Sequence, residues 1–127
     1  MKALFDGIFA AYAASTVPTY LTALYQTEAD PRAVFPYGVF QMVVDTPADF
    51  ATRGFTENNL VQFNLFDDAP DMTRLLEAYV ALRAAFDFAA LTVVGTTVLS
   101  CVWESTLQTR VEKVWQINVQ YRVETRV

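Results

Sequence analysis

The chain has 127 residues, 54% hydrophobic and 18% charged, with a formal net charge of −5. That length fits one domain over 1–127, and a chain of this size buries roughly two-thirds of its unfolded surface, enough to fold without a disulfide or metal. Histidine is absent and Cys101 is alone, which excludes Ser-His and Cys-His nucleophile pairs, His-ligated metals and an internal disulfide.

Leu4, Phe5, Ile8, Phe9 and Tyr12 share one side of a helix expected over about 2–14, ended by Pro18. Gly7 weakens that helix by roughly 1 kcal/mol relative to alanine, so docking must hold it. Lys2, the apolar run and Ala11-Tyr12-Ala13 imitate a secretory signal, but Asp6 and Gly7 interrupt the run. No segment approaches the roughly 20 apolar residues of a membrane span, and the chain is expected to be soluble and unprocessed.

A short edge strand is expected at 21–26, because Pro31 forbids its continuation as a central strand. Phe35-Pro36-Tyr37 leads into an apolar strand over 37–45. The 46–55 connection carries Pro47, Gly54 and two phenylalanines, and alternation of Val61, Phe63 and Leu65 against Gln62 and Asn64 marks a strand over about 56–66.

Asp67-Asp68-Ala69-Pro70-Asp71 reads as a helix start, with acids near the positive end of the helix dipole. Capping is preferred to an acidic metal site, since these carboxylates lack a distant partner to close a coordination shell. The helix runs to about Asp87, with Met72, Leu75, Leu76, Tyr79, Leu82 and Phe86 as its stripe and several alanines elsewhere. Val93-Val94-Gly95 is expected to open a fourth strand with Leu99, Cys101 and Trp103 on its core face, and Leu107–Arg110 to be a connection. In the last strand Trp115, Ile117, Val119, Tyr121 and Val123 oppose Gln116, Asn118, Gln120, Arg122 and Glu124, a pattern that a one-residue slip would invert.

The order α-β-β-β-α-β-β with one-faced strands predicts an α+β two-layer sandwich, a mainly antiparallel sheet with two helices on one face. There is no phosphate-binding glycine loop, no Cys or His ligand cluster and no Gly-x-Ser-x-Gly elbow, so no catalytic, cofactor or metal residue is assigned and no cofactor is expected. Both tryptophans are read as core and Cys101 as a small buried hydrophobe. Charge is uneven: residues 28–71 hold eight acids against Arg32 and Arg53, a net of −6. An acidic middle with no basic run argues against tight phosphate binding.

In this setting the chain resembles the tail-completion proteins of long-tailed bacteriophages, which include the tail terminators. The resemblance rests on the N-terminal helix, Leu24-Tyr25 leading to Ala29-Asp30-Pro31, and Phe35-Pro36-Tyr37 opening Val39-Phe40-Gln41. Leu60-Val61-Gln62-Phe63-Asn64-Leu65-Phe66, Leu82 to Asp87, Leu91-Thr92-Val93 and Val119-Gln120-Tyr121-Arg122-Val123 complete it. It implies a non-enzymatic virion protein, assembled in the host cytoplasm. Such a protein forms a homo-oligomeric ring, usually a hexamer, that stops tail-tube growth and joins the tail to the head connector. Its implied partners are itself, the tail tube protein and head connector or adaptor proteins, with DNA passing through unbound and no membrane involved.

Two sets of residues follow as expectations. Phe50, Arg53 and Phe55 on the surface-running 46–55 connection are candidates for an interface arm. Asp45, Asp49 and Glu57 are candidates for channel-facing acids. The alternative function is a small-ligand-binding protein or enzyme on a ferredoxin-like or dimeric α+β barrel scaffold. That would want a titratable pocket, which a chain without histidine and with four scattered glycines furnishes poorly.

Overall fold

The computed structural model describes residues 2–47, 56–95 and 97–126, with the side chains of residues 2, 44–47 and 56–58 outside that description. In chain order the elements are α1 (Lys2–Ala13), α2 (Val17–Tyr20), β1 (Ala23–Gln26), β2 (Tyr37–Pro47) and β3 (Thr56–Asp67). They are followed by α3 (Thr73–Phe86), β4 (Thr97–Val111) and β5 (Val114–Arg126). The strands form one sheet in the order β1-β2-β3-β5-β4. Every pairing is antiparallel except β1 with β2, so the predicted α+β fold holds with a mixed sheet and one extra short helix.

Alternation decides which face is buried. Phe40, Phe63, Leu65, Ile117, Val119, Tyr121 and Val123 point into the core together with Leu4, Ile8 and Tyr12 of α1 and Leu75, Ala78, Leu82 and Phe86 of α3. Phe63 lies at the centre, its ring 4.8 Å from that of Phe86 and 6.0 Å from those of Phe40 and Tyr121. Phe5 of α1 meets Phe40 edge-on at 5.5 Å. Gly7 permits this docking by close approach: a β-carbon there would stand 2.6 Å from the Thr92 carbonyl oxygen.

Several expectations are corrected. The acids of 67–71 do not begin α3, which starts at Thr73 with Met72 as a cap lacking a side-chain bond. Asp67 instead ends β3, wholly buried, and receives Arg74 Nε at 3.0 Å, while Asp71 Oδ1 accepts the Thr73 N–H at 3.0 Å. Leu76 belongs to the outer face of α3 and is exposed, whereas Ala78 and Ala81 are buried beside the sheet. Val93–Gly95 precede β4 and do not open it.

Leu107–Arg110 are strand residues, and the real turn is Glu112-Lys113, with Val111 paired to Val114. Glu112 takes a φ of 57°, a left-handed conformation usually marked by Gly or Asn, so the turn carries no sequence flag. Irregular pairing between Val98 and Ser100, and between Trp103 and Ser105, breaks the simple alternation of β4. Leu99, at the first irregularity, is exposed and not core; Trp103, opposite Tyr121, keeps to the helix-side face but is exposed because β4 ends the sheet.

Candidate functional site

Helical spacing aligns Tyr79, Arg83 and Asp87 along one line of α3 and its end, over the middle of β4 and β5. Arg83 Nε donates to both Asp87 oxygens at 2.8 and 2.9 Å, and the same carboxylate accepts the Tyr121 hydroxyl at 2.6 Å. Arg83 also donates to Tyr79 Oη at 3.0 Å, and Tyr79 Oη lies 2.9 Å from Thr106 Oγ1, which receives Trp103 Nε1 at 2.8 Å. The guanidinium stands 4.5 Å over the Trp103 ring, a cation–π contact that covers the tryptophan's inner side.

Burial alone would raise the Asp87 carboxyl, but the bonds from Arg83 and Tyr121 outweigh it and hold it below its usual value. The Arg83 guanidinium is held more firmly protonated by its bond to Asp87. Burial first, and the hydrogen bond to Asp87 second, raise the Tyr121 hydroxyl. The Cys101 thiol, desolvated nearby, is pushed up to about 12. With the carboxylate committed to two donors and the thiol kept protonated, the cluster acts as a clamp joining α3 to the sheet. Among the described residues no group of His, Cys, Asp and Glu could hold a metal ion.

The surface offers a shallow groove and an open sheet. Between α2 and α3 a groove of about 540 Å³ is lined by Thr16, Tyr20, Leu76, Val80 and Ala84, with Glu77 as its charged group. Among the described residues no helix covers the other face of the sheet, where amides form a ladder. Gln120 Nε2 donates to Gln62 Oε1 at 2.9 Å, Gln62 Nε2 to Asn64 Oδ1 at 2.6 Å, and Ser105 Oγ to Gln120 Oε1 at 3.3 Å. Half-buried aromatics close one end of this face, Tyr37 lying 6.0 Å from Tyr25 and 5.2 Å from Phe66.

β4, the last strand of the sheet, exposes several large apolar side chains. Leu99, Val102, Trp103, Leu107 and Val111 all stand open, with Leu107 and Val111 about three-fifths exposed (59% and 62%). The sequence pattern puts Leu99 and Trp103 on a core face, and Leu107 is lost to the connection expected over 107–110. The signal present was alternation itself, Leu107, Thr109 and Val111 on one side against Gln108 and Arg110.

Of the predicted site residues, Asp45 lies in β2 opposite Asn59, and Glu57 lies in β3 opposite Pro47. Their side chains are outside the described residues, as are Asp49, Phe50, Arg53 and Phe55 entirely. Among the described residues no helix is long and apolar enough to cross a membrane.

Against solved structures, this architecture superposes along nearly its whole length on a chain of the virion of a native gene transfer agent particle. The TM-score is 0.77, covering 94% of this chain and 92% of that one. The fold is shared with a virion component. Identity is 12%, so the likeness is one of fold alone. A second solved chain matches at a TM-score of 0.62 and 16% identity, over 96% of this chain and 95% of that one. No protein-family profile and no curated protein matches the sequence.

Proposed function

We propose that this chain is a structural virion protein that forms a homo-oligomeric ring, of six copies, at the junction of tail and head. There it ends growth of the tail tube and joins the tail to the head connector, with DNA passing through the centre. The observation that carries this reading is the near full-length fold match, at a TM-score of 0.77, to a chain of a gene transfer agent virion. The clamp at Asp87 fits a structural role, because its polar groups are spent on holding α3 to the sheet.

Within this reading Phe50, Arg53 and Phe55 form an arm that contacts the neighbouring ring component. Asp45, Asp49 and Glu57 face the channel and repel the phosphate backbone. The test is to remove the chain from particles that carry it. Tails of uncontrolled length with unjoined heads are expected, restored by supplying the protein in trans. Normal tails joined to heads in its absence would refute the proposal.

A further inference from the structure

We propose that the outer edge of β4 over Ser105–Val111 is an interface strand that a second copy of this chain covers. This rests on the ring reading above and names the surface through which copies join. An edge strand presents unpaired N–H and C=O groups, and proteins that leave such an edge in water blunt it with lysine, proline or bulges. In β4 both irregularities fall before Ser105. From there to Val111 the strand pairs regularly with β5 for seven residues, Ser105 opposite Gln120 through Val111 opposite Val114. The run contains neither proline nor lysine. Its one charge, Arg110, is folded back 4.5 Å over the Trp115 ring and does not guard the edge.

The apolar side chains match a protein partner. Within this run Leu107 and Val111 lie opposite Asn118 and Val114 and are about three-fifths exposed, two large apolar side chains on one face for a neighbour to cover. Strand direction points to a second copy. The edge opposite β4 is free over Gln41–Pro47 of β2 among the described residues, because β1 pairs with β2 only over Tyr37–Phe40. Through β3 and β5 the alternating pairings make β2 and β4 antiparallel to each other. Copies set side by side in one orientation therefore bring β4 of one against β2 of the next in the favoured antiparallel sense. No two-fold axis is needed, and such a head-to-tail contact closes into a ring where the rotation between neighbours divides a full turn.

The test compares full-length wild type with Leu107→Lys/Val111→Lys and with Val94→Lys, a control at an exposed site off the edge. Native mass spectrometry across concentration, thermal melting at a concentration below assembly, and hydrogen exchange of the 105–111 amides are read together. We expect the double variant to melt like wild type yet to need roughly 100-fold more protein to assemble, with the control unchanged. The alternate amides of 105–111 that do not bond β5 should exchange slowly only in assembled wild type. An assembled double variant, or a wild-type assembly with fast exchange at those amides, overturns the edge proposal and leaves the ring reading standing. A wild type that stays monomeric at every concentration, alone and with tail tubes, overturns both. A double variant that melts early is replaced by Leu107→Ser/Val111→Thr, to which the same two outcomes apply.

Discussion

Replacing Gly7 with alanine sets helix propensity against packing, and the structure says packing wins. Propensity favours alanine by about 0.8–1.0 kcal/mol in a helix interior. The new β-carbon, however, would stand 2.6 Å from the Thr92 carbonyl oxygen and 3.0 Å from Val93 Cγ2. The first of these is backbone and has no rotamer with which to retreat. α1 must shift outward, loosening Leu4, Ile8 and Tyr12, which are all buried against the core. Overpacking of this kind costs about 1–3 kcal/mol and a backbone contact belongs at the upper end, so a net loss of about 1–2 kcal/mol is expected. For a domain of this size that lowers Tm by roughly 3–10 °C. Urea titration followed by circular dichroism measures the change, and Ala10→Gly on the exposed side of α1 supplies the propensity scale alone. A Gly7→Ala variant as stable as wild type, or more so, would refute the close approach of α1 to Thr92.

The Asp87 clamp predicts a pH dependence. A carboxyl held below its ordinary value stabilises the fold above its unfolded value near ~4 and loses that contribution as pH falls through the folded value. Asp87→Asn should therefore narrow the difference in urea midpoint between pH 7 and pH 3, and Tyr121→Phe should narrow it partly. An unchanged difference in Asp87→Asn would show that the carboxylate is not held as described. Phe50→Ser with Phe55→Ser should leave Tm nearly unchanged while abolishing joining to the tube. A double variant that unfolds would make the pair part of the core and not an arm.

Most of the fold was legible because it is written in periodicity. The Trp115–Val123 alternation gave β5 and its buried face, and the Val61–Leu65 alternation gave β3, since a half-buried antiparallel strand must alternate. What escaped were positions where local rules are broken by context. The Glu112-Lys113 turn lacks the glycine that usually marks a left-handed residue, so the sequence pattern ends β4 too early, at a connection over 107–110. Irregular pairing near Ser100 interrupts the alternation at Leu99, and Trp103 keeps to the helix side but is exposed because β4 ends the sheet, which no count of alternating residues reveals. Asp67 was read as a cap because acids before a helix usually are; only the fold brings Arg74 back onto it. The arm and channel residues were chosen from composition and turn chemistry. The β4 edge required knowledge of which strand ends the sheet, and that order is a tertiary fact.

The central claim, that this chain assembles into a ring, is tested most directly by native mass spectrometry of the purified protein with imaging of the assembled species. A closed ring near six copies around a central opening, formed cooperatively as concentration rises, is expected. An obligate two-fold dimer, or a monomer that neither assembles alone nor on tail tubes, would contradict it.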